Sequence, residues 1–142
     1  MAYPIKIEST QNPNFLEIRW NPNNVCNFNC RYCFPESNTG THRSPSNLDL
    51  IVKNFSHFLT EYKEKLGKTN VHLKIAGGEP TLWRDLGEFI TEIKKQHDIY
   101  ITIISNGSRT LRWWEKYGNL IDNVTLSYHQ AQANLDHHIA VD

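Results

Sequence analysis

The sequence predicts an α/β fold built on a parallel sheet. Strand-like and helix-like segments alternate as β-α-β-α-β-α-β, the longest helical segment carries a single apolar stripe, and one strand is a dense β-branched run. Alternation of this kind implies right-handed crossovers, so successive strand ends open on one edge of the sheet.

The elements follow in order. Phe15 to Trp20 reads as a short strand after Pro13, broken by Asn21-Pro22-Asn23-Asn24, since Pro and Asn favour turns. Residues 34–46 are rich in Pro, Ser, Thr and Gly without an apolar period and read as loop. Ser46 is the expected N-cap of the first helix, with Asp49 three positions on to favour the first-turn amides. In that helix Leu48, Ile51, Val52, Phe55, Phe58, Leu59, Tyr62 and Leu66 follow at steps of three and four, and Gly67 closes it. Glu61, Lys63, Glu64, Lys65 and Lys68 are expected on its solvated side. Val71 to Ala76 is a second strand, ended by Gly77-Gly78-Glu79-Pro80. Leu82, Leu86, Phe89, Ile90 and Ile93 mark a second helix. Ile99 to Ile104 is the β-branched run, of the sort a strand covered on both faces needs, and Ser105-Asn106-Gly107-Ser108 turns it. Leu111, Trp114 and Tyr117 suggest a third helix, and Asn123 to Ser127 a fourth strand. Adjacent helical residues point about 100° apart, so one of Trp113 and Trp114 is expected in the core and the other at the surface.

Composition narrows the class. A chain of 142 residues, 39% hydrophobic, can fill one core, and no linker, repeat or low-complexity stretch divides it. Fifteen basic residues balance fifteen acidic ones, which implies neither a nucleic-acid partner nor an anionic membrane surface. No apolar run approaches the ~20 residues that span a bilayer, and MAYPIKIEST lacks the apolar core of a signal peptide, so a cytoplasmic protein is expected. Four strands and three helices fall short of a closed eight-unit barrel of about 250 residues. The chain either stops early or belongs to a smaller open sheet.

Three cysteines, an odd number clustered within eight residues, point to metal binding or chemistry instead of a disulfide framework. They stand as Cys26-Asn27-Phe28-Asn29-Cys30-Arg31-Tyr32-Cys33, spaced C-x3-C-x2-C, in the loop leaving the first strand. Three thiolates there can hold three corners of a cubane cluster, and with no fourth cysteine in the chain one iron is left open for a small ligand. The loop lies at the C-terminal edge of the sheet, where parallel α/β folds bind ligands. A structural zinc site with His42 or His57 as fourth ligand is the competing reading.

With CNFNCRYC, the chain resembles the radical S-adenosylmethionine (SAM) superfamily, whose C-x3-C-x-aromatic-C pattern it meets at every required position. Gly77-Gly78-Glu79-Pro80, about 50 residues on and one βα unit later, resembles the GGEP loop of that family. The resemblance covers roughly residues 15–130 and implies a partial (β/α) barrel, of which residues 1–142 are the N-terminal part with about four βα units. It implies a [4Fe-4S] cluster on Cys26, Cys30 and Cys33, with SAM chelated by the free iron through its amino and carboxylate groups. Reductive cleavage of the sulfonium then yields methionine and a 5'-deoxyadenosyl radical that abstracts hydrogen from the substrate. Tyr32 would lie against the adenine, and Gly77, Gly78 and Glu79 would take the methionine amino group. From the residues themselves, the glycines allow close approach to a ligand and Glu79 offers a carboxylate to an ammonium. Ser105, Asn106 and Ser127 resemble polar contacts to the rest of SAM. Further implied partners are a flavodoxin- or ferredoxin-like electron donor and a substrate that the sequence does not identify.

The strands and C-terminal additions that the family carries later, where substrate choice resides, are not in this sequence. A split module that needs a second chain to complete the barrel is therefore the alternative. His129, just past the fourth strand, is a candidate substrate contact or acid/base group, while His137 and His138 are expected at the surface.

Overall fold

A computed structural model describes residues 6–9, 15–67 and 70–141, with side chains from Leu16 onward. Lys68, expected on the solvated side of the first helix, lies outside the described residues. The elements run β1 (Lys6–Ser9), β2 (Phe15–Trp20), α1 (Leu48–Leu66), β3 (Asn70–Ile75), α2 (Leu86–Gln96), β4 (Tyr100–Ser105), α3 (Leu111–Tyr117), β5 (Asn123–Leu126) and α4 (Leu135–Val141). They form one five-stranded sheet in the order β1-β2-β3-β4-β5. β2 to β5 are mutually parallel and alternate with helices, the expected α/β arrangement.

Two elements lie outside the sequence reading. β1 pairs antiparallel with β2, Lys6 opposite Arg19 and Ser9 opposite Leu16. Lys-Ile-Glu-Ser is too short and too polar to announce a strand, and it exists because β2 offers an edge. α4 is a seven-residue helix in a segment read as surface.

Parallel pairing brings Trp20 opposite Ile75, Ile75 opposite Ile103, and Ser105 opposite Leu126, so the strand ends share one edge. Period-2 alternation divides the sheet into two faces. Leu16, Ile18, Val71, Leu73, Ile75, Ile101 and Ile103 are buried and pack with Phe55 and Leu59 of α1 and with Leu86, Phe89, Ile90 and Ile93 of α2. The alternate residues, Glu17, Arg19, His72, Lys74, Tyr100 and Thr102, are polar or amphipathic. Helices α1 and α2 pack on the apolar face, an arrangement consistent with part of a barrel wall. Cover on both faces of the third predicted strand is found only in part, since Tyr100 and Ile104 are exposed while Thr102 between them is buried.

Several boundaries differ for local reasons. The α1 N-cap is Asn47, not Ser46: the Asn47 side chain accepts from the Leu50 amide at 3.0 Å from an extended backbone. Leu82 belongs to a 3-10 turn, Pro80–Leu82, ahead of α2, which starts at Leu86. Trp113 and Trp114 are both buried, edge to face at 5.0 Å, while Leu111 is exposed. α3 is only seven residues long and meets both α2, through Tyr117 over Gly87, and α4, so two of its faces are covered.

Candidate metal and cofactor centre

The site is assembled from the loops that leave β2, β3, β4 and β5. The β2 loop is held by two buried asparagines that the sequence reading took only as turn formers. The Asn24 side-chain amide donates to Glu36 O (3.2 Å), Thr39 Oγ1 (2.6 Å) and Thr41 Oγ1 (3.1 Å), and its Oδ1 accepts from the His42 amide (2.7 Å). Residues 34–46 therefore fold back on the cysteine loop. Asn23 Nδ2 donates to Ser44 Oγ (2.9 Å) and Glu79 O (3.4 Å), and its Oδ1 accepts from the Val25 amide (3.2 Å). Two asparagines in succession ahead of the first cysteine are the signal that could have disclosed this.

The β3 loop is docked directly on this frame. Gly78 N donates to Asn23 O at 3.1 Å and Glu79 N to Val25 O at 2.7 Å. A Cβ on Gly77, whose φ is +126°, would come 2.3 Å from Asn23 O, and one on Gly78 would come 2.3 Å from Val25 O and 2.8 Å from Ser37 O. The backbone that approaches these glycines is the cysteine loop itself; the close approach expected of a ligand is made by the chain.

Glu79 is buried, and its carboxylate accepts bonds from the chain. Oε1 accepts from Thr81 N (3.1 Å), Thr81 Oγ1 (2.5 Å) and Ser105 Oγ (2.8 Å), and Oε2 from Asn106 N (2.7 Å). Asn106 in turn donates its side-chain amide to Asn27 Oδ1 (3.1 Å) and the Cys26 sulfur (3.7 Å). Ser108 Oγ also meets Asn27. Glu79, Ser105, Asn106 and the first cysteine thus form one connected network. Ser127 joins it through its amide, which donates to Ser105 O at 2.8 Å.

All three thiols are free, Cys30 buried and the other two half-buried. Burial pushes the Cys26 thiol up, and the Glu79 carboxylate and the two other thiols add to it, because anions gathered this closely disfavour a further one. A bound cationic metal would reverse that balance. N–H donors already point at two of the sulfurs, from Phe28 N (3.4 Å) and Asn106 to Cys26 and from Gln132 Nε2 (3.6 Å) to Cys30. Such donors suit thiolates, so the residues fit an iron–sulfur cluster. Among the described residues no three or more His, Cys, Asp or Glu side chains converge as around a single ion. A cubane gives each thiolate its own iron and needs no such convergence, whereas a zinc site does. His57 lines a cleft of about 450 Å³ between α1 and α2, apart from the cysteines.

The segment after β5 reaches the cysteine loop from the far side. Tyr32 Oη bonds His129 Nδ1 at 2.7 Å, with their rings stacked at 5.7 Å and Phe28 edge-on to His129 at 5.9 Å. His137 is half-buried instead of lying free at the surface, its Nε2 meeting Gly107 O (3.1 Å) and Arg109 O (2.9 Å). His138 is half-buried as well, its ring edge-on to Tyr128. A cavity of about 260 Å³ opens between these parts, lined by Phe28, Asn106, Gly107, Gln132 and His137 among others.

The sequence profile of the Radical SAM superfamily matches residues 20–139. The chain belongs to the radical SAM superfamily. Members of that superfamily are enzymes that use a [4Fe-4S] cluster and SAM. Among similar proteins, a GTP 3',8-cyclase of Pasteurella multocida is 30% identical over 134 residues, 88% of this chain and 36% of that protein. An S-adenosylmethionine-dependent nucleotide dehydratase of a Fibrobacter species is 30% identical over 114 residues, 79% of this chain and 33% of that protein. A protein called GTPase Obg from Brachyspira hyodysenteriae is 39% identical over 98 residues, 67% of this chain and 14% of that protein. The chain thus spans about a third or less of these curated relatives. No helix among the described residues is long and apolar enough to cross a membrane.

Proposed function

We propose that residues 1–142 are the N-terminal, cofactor-binding part of a radical SAM core, with Cys26, Cys30 and Cys33 holding a [4Fe-4S] cluster and the strand-end loops receiving SAM. The observation that carries this reading is the locking of the Gly77–Pro80 loop onto the cysteine loop, backbone against backbone, with Glu79 linking that pair to Ser105 and Asn106. When bound, the cluster and SAM would supply reductive cleavage of the sulfonium and a 5'-deoxyadenosyl radical for hydrogen abstraction.

The chain's own residues hold and orient. Glu79 fixes the relative position of three loops through buried charge-assisted bonds, and in this reading it shapes the pocket for the SAM amino group as a positioning residue. Gly77 and Gly78 let the β3 loop close onto the cysteine loop beside it. Tyr32, braced by His129, offers an aromatic face for the adenine. Ser105, Asn106 and Ser127 would supply polar contacts to the rest of SAM, with Asn106 beside the Cys26 sulfur. In this reading His129 acts through Tyr32, whose hydroxyl its Nδ1 meets.

The two relatives named above as a cyclase and a dehydratase share this segment while their names state different reactions. The segment is therefore assigned the chemistry they have in common, the cofactors, and not the choice of substrate. Gly67-Lys68-Thr69 lacks the earlier glycine of a phosphate-binding loop, so the match to a protein named as a GTPase brings no nucleotide hydrolysis to this reading. An external electron carrier of flavodoxin or ferredoxin type would reduce the cluster, and clustered free thiols support a reducing compartment, the cytoplasm, as the proposed location.

Anaerobic reconstitution followed by electron paramagnetic resonance, and SAM cleavage with dithionite, tests the proposal. A [4Fe-4S] signal perturbed by SAM is expected in the wild type, and loss of the signal in Cys30→Ala; iron-free wild-type protein after reconstitution would remove the reading. β5 has one hydrogen-bonded neighbour among the described strands, so a further strand, from the same polypeptide or a second chain, would pair there. Gel filtration coupled to activity separates the two, since a monomer that turns over substrate needs no second chain.

A further inference from the structure

The turn after β5 places a carboxamide against the cysteine loop that the cofactor reading does not use. Gln132 is 102 residues from Cys30, yet its Nε2 donates to the Cys30 sulfur at 3.6 Å. Its Oε1 accepts from the Asn29 amide at 2.8 Å. The backbone N–H of Asn29 can only donate, so the carbonyl end of the carboxamide must face it and the NH2 end must face the sulfur. The turn is itself pinned, since the Gln132 amide donates to His129 O at 2.9 Å and His129 is bonded to Tyr32. Residues 129 and 132 therefore grip the cysteine loop at positions 29, 30 and 32.

We infer that Gln132 is a positioning and tuning residue for the cluster, raising its reduction potential through an N–H···S bond to Cys30. The inference rests on the function proposed above. One-electron reduction adds negative charge that is shared with the ligand sulfurs, and a donor held against a sulfur stabilises the reduced state more than the oxidised one. Cys30 is the buried member of the three, so the sulfur end of this bond is shielded from solvent, while Gln132 itself is exposed. Asn106 makes the matching contact to Cys26, but its backbone amide also bonds the Glu79 carboxylate of the proposed SAM site, whereas the Gln132 carboxamide bonds the cysteine loop.

The test uses full-length protein reconstituted anaerobically, as wild type, Gln132→Leu and Gln132→Glu, with iron and sulfide content measured before a redox titration followed by electron paramagnetic resonance. In Gln132→Leu the equilibrium constant for reduction is expected to fall about tenfold, which is a shift of about 59 mV for one electron. Gln132→Glu keeps the acceptor for the Asn29 amide while removing the donor, so its potential should fall at least as far with the loop intact. A residue with a merely structural role would lower cluster content or thermal stability in Gln132→Leu, recover in Gln132→Glu, and leave the potential of loaded Gln132→Leu unmoved, whereas the added charge lowers that of Gln132→Glu in either case. Loaded variants within about twofold of the wild-type constant, or variants that do not load at all, overturn the tuning role. A wild type that holds no cluster removes the earlier reading instead.

Discussion

Gly78 shows how much a single residue settles. Its Cα faces the carbonyl of Val25 so closely that a methyl group would sit 2.3 Å from the oxygen, and the three nearest atoms, the Val25 carbonyl carbon and oxygen and the Ser37 oxygen, are all backbone and cannot turn aside. Gly78→Ala is therefore expected to separate the β3 loop from the cysteine loop, lowering stability by about 1–3 kcal/mol as overpacking does. Iron content after reconstitution should fall with it; a variant with wild-type iron and melting temperature would show that the two loops are not rigidly coupled. The glycines and Glu79 were found by pattern, but what they touch was not. Glu79 reads in the sequence as a carboxylate free to meet an ammonium, whereas in the fold Thr81, Ser105 and Asn106 occupy it. Two of those partners lie more than twenty positions away, and no local pattern announces them.

At the level of elements, the helix periods were legible and their ends were less so. Ser46 and Asn47 are both good caps by type, and the choice between them depends on which backbone is extended where α1 begins. Asn47→Ala is expected to destabilise the protein by about 1 kcal/mol, while Ser46→Ala should leave the urea midpoint unchanged. The reverse order would return the cap to Ser46. The third predicted helix was right in place and wrong in exposure. A single amphipathic stripe assumes one buried side, but α3 touches both α2 and α4, and both indoles of Trp113 and Trp114 are enclosed. α4 itself has no stripe strong enough to read, with Leu135 and Ile139 exposed, and it is recognised only by its docking through His137 onto the β4 loop.

For the molecule as a whole, the division into an apolar helical face and a polar open face governs its response to acid. Glu17 is buried on the open face between Lys74 Nζ (2.9 Å) and Arg19 Nε (2.8 Å), which hold its carboxyl below the usual carboxylate range. A carboxyl depressed in the folded state contributes stability that is fully present above its unfolded value, near pH 4.3, and is lost as pH falls through the depressed one. Stability of the wild type should therefore drop more steeply below about pH 4.3 than that of Glu17→Gln, measured by urea denaturation at a series of pH values. Equal slopes would mean that the ion pairs on the open face do not hold in solution.

What the sequence determined alone was whatever depends on near neighbours along the chain: the alternation of strand and helix, the spacing of three thiols, the glycines beside a carboxylate, and through them the superfamily. The tertiary structure decided which side of the sheet is covered, where β1 and α4 sit, what Glu79 binds, and that Gln132 reaches Cys30. The Glu79–Ser105 and Gln132–Cys30 contacts join residues 26 and 102 positions apart, and they form only once the crossovers have carried the strand ends to the same edge.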